Sequence, residues 1–216
     1  MIDPREYFEA GLKLHGHKCP AMPMGLRVGA AAMNVLGVDR AADGQLMALV
    51  EIGRNHCATC FADGVQMVTG CTFGKGNIER LNRGKWGLTL IDKATSRAVR
   101  VAPRAETMAA SKESSFFKDY REKGIPASQV PSDVVEPLIE RVMSLPDEQI
   151  LNVGQVHEHR WIDPSHSFSS FICDECGEMV VEAYGRVLGD RRVCISCHES
   201  LTHAPEPSCT CGCVAC

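Results

Sequence analysis

The chain has 216 residues, of which 44% are hydrophobic and 23% are charged, a balance typical of a globular protein. Its formal net charge of −4 argues against nucleic-acid binding through bulk electrostatics, and no apolar run approaches the roughly 18 residues that a membrane helix needs. The N-terminal stretch MIDPREYFEA has neither the basic start nor the apolar stretch of a signal peptide, so we expect a cytoplasmic protein without nucleic-acid or membrane partners.

The first third of the chain predicts three helices and one buried strand. The helices cover residues 3–16, 23–38 and 57–70, and the strand covers residues 45–52. Asp3 is a candidate N-cap for the first helix, with Pro4 at its first position. The second helix carries small residues at 25–32, which let another backbone approach closely and also suit a dimer contact.

The remaining elements predict an α+β fold. Strands at 85–93 and 97–104 form a hairpin, helices follow at 113–124 and 132–145, and another strand covers 150–159. Ser132 is a candidate N-cap. Irregular alternation around a hairpin favours a mixed or antiparallel sheet with packed helices over a doubly wound sheet. We expect a core domain at 1–160 and a polar linker at 161–170.

Two C-x-x-C pairs near the C-terminus predict a structural zinc site. Cys173, Cys176, Cys194 and Cys197 can supply the four thiolates of a closed tetrahedral site. A finger at 171–203 is too short to bury a sufficient core, so the metal must supply most of its folding free energy. The alternative for the twelve cysteines, a disulfide framework, is disfavoured by the absent export signal and the close pairing. The pattern resembles the C4 zinc finger of the DksA/TraR family.

A second group of candidate ligands lies in the N-terminal third. His15, His17 and Cys19 alternate, so an extended turn places them on one side, and Cys19 precedes a helix whose N-terminus favours a thiolate. Cys60 also lies at a helix start, with Asp63 one turn further on the same face. We expect His17, Cys19 and Cys60 to share zinc or iron(II) in one cleft.

The loop GCTFGKGN, residues 70–77, offers further candidates. Cys71 is the predicted fourth ligand, with Cys57 as an alternative, and Lys75 can bind an anionic group. His15 is interpreted as a partner that orients His17 rather than as a ligand. Structural explanations also exist: Cys71 as a buried apolar residue, His15 as a helix C-cap and Asp63 as a solvent-facing charge.

The stretches HGHKCPAMPMGLRVG and CFADGVQMVTGCTFGKGN, followed by RGKWGLTL, resemble the FmdE family, which is named after a subunit of formylmethanofuran dehydrogenase. The resemblance implies an α+β homodimer with a cleft and a treble-clef zinc finger. It also implies an association with a molybdenum- or tungsten-pterin enzyme that interconverts carbon dioxide and a formyl carrier. The family motifs map onto His15, His17, Cys19, Cys60, Asp63, Cys71, Thr72, Lys75 and Asn77. On this basis Cys60, Asp63 and Lys75 are expected in catalysis, and Lys75 and Asn77 in cofactor binding.

The C-terminal tail at 204–216 is rich in cysteine. Cys209, Cys211, Cys213 and Cys216 lie within eight residues and suit a soft metal such as zinc or copper(I), or an iron–sulfur cluster. The alternative is a tail of redox-labile thiols without a metal. The spacing alone does not choose between them.

Three functions remain open. The first is a metal-dependent enzyme, or a subunit of a formylmethanofuran dehydrogenase-type oxidoreductase, in which His17, Cys19 and Cys60 leave one coordination position free and Cys71 or Asp63 is a fourth ligand or proton carrier. The second is a non-catalytic carrier or accessory protein that exchanges metal or cofactor with a donor or docks on an oxidoreductase complex. The third, a redox or metal sensor acting through the finger, ranks last because no basic helix supports it.

Overall fold

The computed structural model describes residues 1–54, 59–165 and 168–202, which divide into two units, Met1–Trp161 and Ile162–Cys216. The helices of the first unit are α1 (Phe8–His15), α2 (Ala21–Leu36), α3 (Cys60–Thr69), α4 (Ala105–Lys112), α5 (Ser132–Ser144) and α6 (Asp147–Ile150). Its strands are β1 (Leu46–Val50), β2 (Ile78–Arg80), β3 (Leu88–Asp92), β4 (Arg97–Pro103), β5 (Leu151–Val153) and β6 (His157–Glu158). Shorter turns are 3₁₀ at Pro4–Tyr7, Phe73–Lys75 and Ala127–Gln129, and π-helical at Phe116–Arg121.

The strands form one mixed sheet. Its order is β2-β1-β3-β4-β5, and β6 also pairs with β4. Only the β1–β2 pair is parallel among these strands, and Ala48 lies opposite both Ile78 and Leu90 in the register. The predicted α+β class with a mixed sheet is therefore confirmed.

Helix α2 is the centre of the core because it is buried along nearly its whole length. It packs against α3, α5 and the strands β3 and β4. Leu26, Val28 and Met33 are fully buried on it, and Gly37 ends it in the left-handed conformation at φ 69°. A helix that is apolar on all sides is stable only inside a core, and this position explains its composition.

Glycines allow the backbones of α2 and α3 to touch. A Cβ atom on Gly25 would lie 2.0 Å from the carbonyl oxygen of Phe61, and one on Gly64 would lie 2.0 Å from that of Met22. The close approach expected from the small residues at 25–32 is confirmed, and the partner is α3 of the same chain. This face therefore gives no support to a homodimer, which stays a prediction.

Several element boundaries differ from the sequence expectations. The Asp3 carboxylate caps the N-terminus by accepting from the amide of Arg5 at 2.9 Å, but the first turn is 3₁₀. The prediction of Ser132 as an N-cap is wrong, because Pro131 occupies that position and Ser132 begins the helix. The segment predicted as a regular helix at 113–124 forms a π-helical turn instead. Helix α4 was missed because it has no buried residue and so no apolar period.

The second unit contains two small hairpins and a helix. Strands β7 (Ser170–Ile172) and β8 (Met179–Val181) pair with each other, as do β9 (Gly185–Leu188) and β10 (Arg191–Cys194), and α7 (Ile195–Thr202) follows. Gly177, at φ 74°, closes the turn between β7 and β8 by donating its amide to the carbonyl oxygen of Cys173. Within the described parts of the chain, no helix is both long and apolar enough to cross a membrane.

We predict that Gly64→Ala destabilises the core by about 3 kcal/mol, because the new methyl group would clash with backbone atoms of α2 that cannot rotate away. Urea unfolding followed by circular dichroism measures the change. The matched control is Gly74→Ala, where no atom lies within 4 Å of the added Cβ and we expect a change within about 0.5 kcal/mol. Equal stabilities for the two variants would contradict the close helix crossing.

Candidate metal centre and adjoining cavity

Four side chains of the first unit converge on one point. His15, His17, Cys19 and Cys60 each offer one ligand atom, and these atoms all lie within 4.8 Å of one another. The Nε2 atoms of His15 and His17 are 3.1 Å apart, and the Sγ of Cys19 is 3.5 Å from the Nε2 of His15. Bonds of 2.0 to 2.3 Å to a tetrahedral ion place its ligand atoms roughly 3.3 to 3.8 Å apart, so this donor set fits zinc or iron(II).

The helix ends position these donors. His15 is the last residue of α1, and Gly16 turns the chain with a φ of 87°. Cys19 lies just before α2 and is buried, whereas Cys60 begins α3 and is half-buried. The chemistry is therefore assembled where three helices begin or end.

A chain of hydrogen bonds fixes the orientation of His15. Its Nδ1 lies 2.8 Å from an Asp63 carboxylate oxygen, and the amide of Gln66 donates to the other Asp63 oxygen at 3.4 Å. The backbone amide of Phe73 donates in turn to Gln66 at 3.1 Å. Because Nδ1 is held by a carboxylate, Nε2 is directed at the other donors, which is the usual support for a metal-binding imidazole.

The protonation of the donors depends on their mutual contacts. The hydrogen bond to Asp63, followed by one to Cys60, raises the pKa of His15 to about 9. Hydrogen bonding from Cys19 lowers the pKa of the Cys60 thiol, and the same bond raises that of Cys19. Burial lowers the pKa of His17. Metal binding must therefore release protons from His15 and Cys19.

The residues of the loop at 70–77 make structural contacts instead of joining this group. Cys71 is fully buried, and burial raises its pKa to about 11. Lys75 donates to the carbonyl oxygens of Ala41 at 2.9 Å and Ala42 at 3.1 Å. The Asn77 side chain accepts from the amide of Thr72 at 2.8 Å and donates to the carbonyl of Asp43 at 3.0 Å. The structure thus brings His17, Cys19 and Cys60 together as expected, but not Cys71, Lys75 or Asn77.

His15 occupies the position that the sequence analysis assigned to Cys71. It was expected to orient His17, yet its Nδ1 contacts Asp63 and its Nε2 joins the donor group. The alternation of His15, His17 and Cys19 was the correct signal, since it already placed all three on one side. His56 and Cys57 lie outside the described residues.

A cavity of about 310 Å³ adjoins the donor group, and His17, Cys19 and Cys60 form part of its wall. The other described residues that line it are Pro20, Ala21, Met24, Thr59, Trp86, Met108, Ser111, Phe116, Phe117, Arg121, Pro126, Ala127, Ser128 and Val142. Most of these side chains are apolar, and the described lining contains no carboxylate. Sequence reasoning missed this cavity because its walls come from segments far apart in the chain.

Part of the cavity wall comes from the π-helical turn Phe116–Arg121. The amide of Glu122 donates to the carbonyl of Phe117 at 2.9 Å, the wider spacing of such a turn. Turns of this kind occur frequently at functional sites. The nearest sequence signal was the aromatic pair Phe116–Phe117 in a polar segment.

The second unit contains the other donor group. The ligand atoms of Cys173, Cys176, Cys194 and Cys197 lie within 4.8 Å of one another. The amide of Cys194 donates to the sulfur of Cys173, and that of Cys197 to the sulfur of Cys194, both at 3.3 Å. Such amide bonds stabilise thiolates, as a structural zinc site requires. The segment is a four-cysteine zinc finger, as predicted. The tail cysteines from 209 onward lie outside the described residues.

Comparisons with known proteins match both units. A family model described as "FmdE, Molybdenum formylmethanofuran dehydrogenase operon" matches residues 14–152, and one described as "Prokaryotic dksA/traR C4-type zinc finger" matches residues 166–203. A probable S-adenosyl-L-methionine-binding protein from Archaeoglobus fulgidus is 31% identical over 179 residues, which cover 78% of this chain and 47% of that protein. The chain thus spans about half the length of this curated relative.

A solved structure shares the fold. It is the crystal structure of an FmdE-like protein of tungsten formylmethanofuran dehydrogenase from Syntrophus aciditrophicus, with a TM-score of 0.63 and 24% identity. The match covers 93% of this chain and 95% of the other.

We predict that Cys176→Ser removes one equivalent of zinc and unfolds the finger, because about thirty residues cannot fold without the metal. The core should stay folded. Elemental analysis and amide exchange measured by mass spectrometry report the two effects. The control is Ser196→Ala, a substitution between two of the cysteines that removes no ligand. Full zinc retention in Cys176→Ser would sink the assignment.

We predict that Asp63→Asn weakens metal binding to the core group by roughly 10- to 100-fold at pH 9, because His15 loses the carboxylate that orients it. The deficit should narrow at pH 7. There the wild-type His15, with its pKa near 9, is protonated and competes with the metal, whereas asparagine no longer raises that pKa.

Competition with a chromophoric chelator at both pH values measures this difference. The control is Asp133→Asn, an exposed carboxylate in the first turn of α5. An Asp63→Asn affinity equal to wild type at pH 9 would show that the carboxylate does not support the ligand.

Proposed function

The chain belongs to the FmdE family, and we propose that its core centre holds zinc or iron(II) and acts on a small molecule in the adjoining cavity. The observation that carries this proposal is that three of the four donors, His17, Cys19 and Cys60, also line the cavity. A purely structural ion needs no such access. The two Cys/His donor groups support metal binding by the protein as a whole.

The roles of the donors follow from their contacts. His15, His17, Cys19 and Cys60 would hold the ion, and an ion bound here supplies a Lewis acid that polarises a substrate or lowers the pKa of a bound water. Asp63 keeps a proton on Nδ1 of His15 and so directs Nε2 at the ion. We therefore propose Cys60 as a ligand and Asp63 as a positioning residue.

A closed set of four protein ligands is typical of structural sites, so an enzyme must gain a coordination position. The cavity supplies space on the side of His17, Cys19 and Cys60 for an additional ligand. On another side, Asp63 and Gln66 hold His15 in place. An incoming molecule would therefore approach from the cavity, whose apolar walls limit competing water.

We place this activity in or alongside the formyl one-carbon metabolism of molybdenum- or tungsten-pterin oxidoreductases. The support is the description of the matching family, which names a molybdenum formylmethanofuran dehydrogenase operon, and that of the related solved structure, which names a tungsten enzyme. A homodimer and an oxidoreductase complex are the proposed assemblies. We also propose a treble-clef arrangement for the finger, supported by its order of knuckle, hairpin and helix.

The alternative is a non-catalytic carrier that passes a metal or cofactor to a partner. The second donor group and the cysteine-rich sequence after residue 203 support it. The name of the curated relative suggests S-adenosyl-L-methionine as a ligand instead. We do not extend that ligand to this cavity, because its described lining offers no carboxylate for the ammonium and sulfonium groups.

Cobalt(II) substitution tests the proposal, because its visible absorption reports the ligands of the ion. We predict that azide changes the absorption of wild-type protein and has no effect on Cys60→Ser, in which only the finger retains cobalt. Cys176→Ser, with an intact core group, should respond like wild type. An unchanged wild-type spectrum would mean that no ligand reaches the core ion from the cavity.

Chelation separates the two candidate functions. An enzyme should retain its core metal during mild chelation with a colorimetric chelator, whereas a carrier should release it within minutes. The finger metal of Cys60→Ser provides the reference rate for a closed structural site.

A further inference from the structure

Arg121 is the one cationic side chain of fixed charge among the described residues that line the core cavity. It ends the π-helical turn, and its Nη1 donates to the carbonyl oxygen of Ile125. This bond holds the guanidinium in place while leaving its other N–H groups able to bind a ligand. The cavity thus contains a preorganised cation.

The charge of Arg121 has no counterion in the described cavity wall. No Asp or Glu side chain lines it there. Two thiolates and two neutral imidazoles would also balance a divalent ion, which leaves the metal centre without net charge. An uncompensated guanidinium beside a low-dielectric wall favours an anionic ligand.

The rest of the wall suits an apolar molecule. Met24 and Phe116 are 2% and 3% exposed, and Val142 is also buried. The rings of Phe116 and Phe117 meet edge to face with centroids 5.2 Å apart. At about 310 Å³ the cavity is at the small end of ligand sites.

Building on the function proposed above, we propose that this cavity binds a small monocarboxylate with an apolar body. The carboxylate pairs with Arg121, the body packs against Phe116 and Phe117, and the other end faces the donor group. The planar guanidinium fork matches a carboxylate. A phosphate dianion would require further donors or cations, which the described wall does not offer.

Isothermal titration of the full-length, metal-loaded protein tests the ligand class with three probes. We expect 3-phenylpropanoate to bind, and 3-phenylpropanamide, which has the same shape without the charge, to bind roughly 10- to 100-fold more weakly. Acetate, which has the charge without the apolar body, should also bind weakly. An amide that binds as tightly as the acid would overturn the proposal.

Two variants locate the carboxylate. Arg121→Met should lower the affinity for 3-phenylpropanoate by roughly 10- to 100-fold and leave that for the amide nearly unchanged. Lys118→Met is the control, because Lys118 lies on the same turn, is exposed and pairs with Glu113 outside the cavity. Circular dichroism establishes that both variants fold. Equal affinity of Arg121→Met and wild type for the acid would refute the assignment of Arg121.

Metal content measured on the same samples separates this inference from the proposed function. A core group without metal would defeat the proposed function, yet the difference between acid and amide would still decide the ligand class. Conversely, a metal-loaded protein that does not distinguish acid from amide would defeat only the inference.

Discussion

The contact between α2 and α3 is the constraint on which the metal centre depends. Gly25 and Gly64 let the two backbones touch, and each glycine lies within about two helical turns of a donor, Cys19 in one case and Cys60 in the other. A side chain at either glycine would separate the helices by more than a metal–ligand bond length. The buried core thus sets the distance between the two thiols, and the centre inherits its geometry from packing rather than from flexible loops.

The contacts of the loop at 70–77 explain why its residues accompany the donor motif. The loop supplies the amide of Phe73 to Gln66, which supports Asp63 and through it His15. Lys75 and Asn77 fasten the same loop to the segment at 41–43. Residues that look like a second binding site in the sequence therefore hold the surroundings of the first one in place.

The sequence predicted the fold class, most helices and strands, and both donor groups, because each rests on local spacing. The C-x-x-C pairs and the alternation of His15, His17 and Cys19 are such patterns. The choice between His15 and Cys71 could not be made locally, since it depends on how α1 and α3 pack. The cavity was also beyond reach, because segments as distant as Met24 and Val142 form its walls. The family resemblance and the zinc finger are confirmed, whereas the assembly and the reaction stay predictions.

The order of the core donors along the chain has a consequence for chain entropy. Three of them lie within residues 15–19, and the fourth, Cys60, follows only after α2 and β1. An ion held by all four is therefore a cross-link that closes one long loop, and it restricts the unfolded chain much as a disulfide would. In the finger the metal replaces a missing core, whereas in the first unit it fastens together helices that already pack. Loss of the ion there would free the start of α3 and leave the sheet and α2 intact.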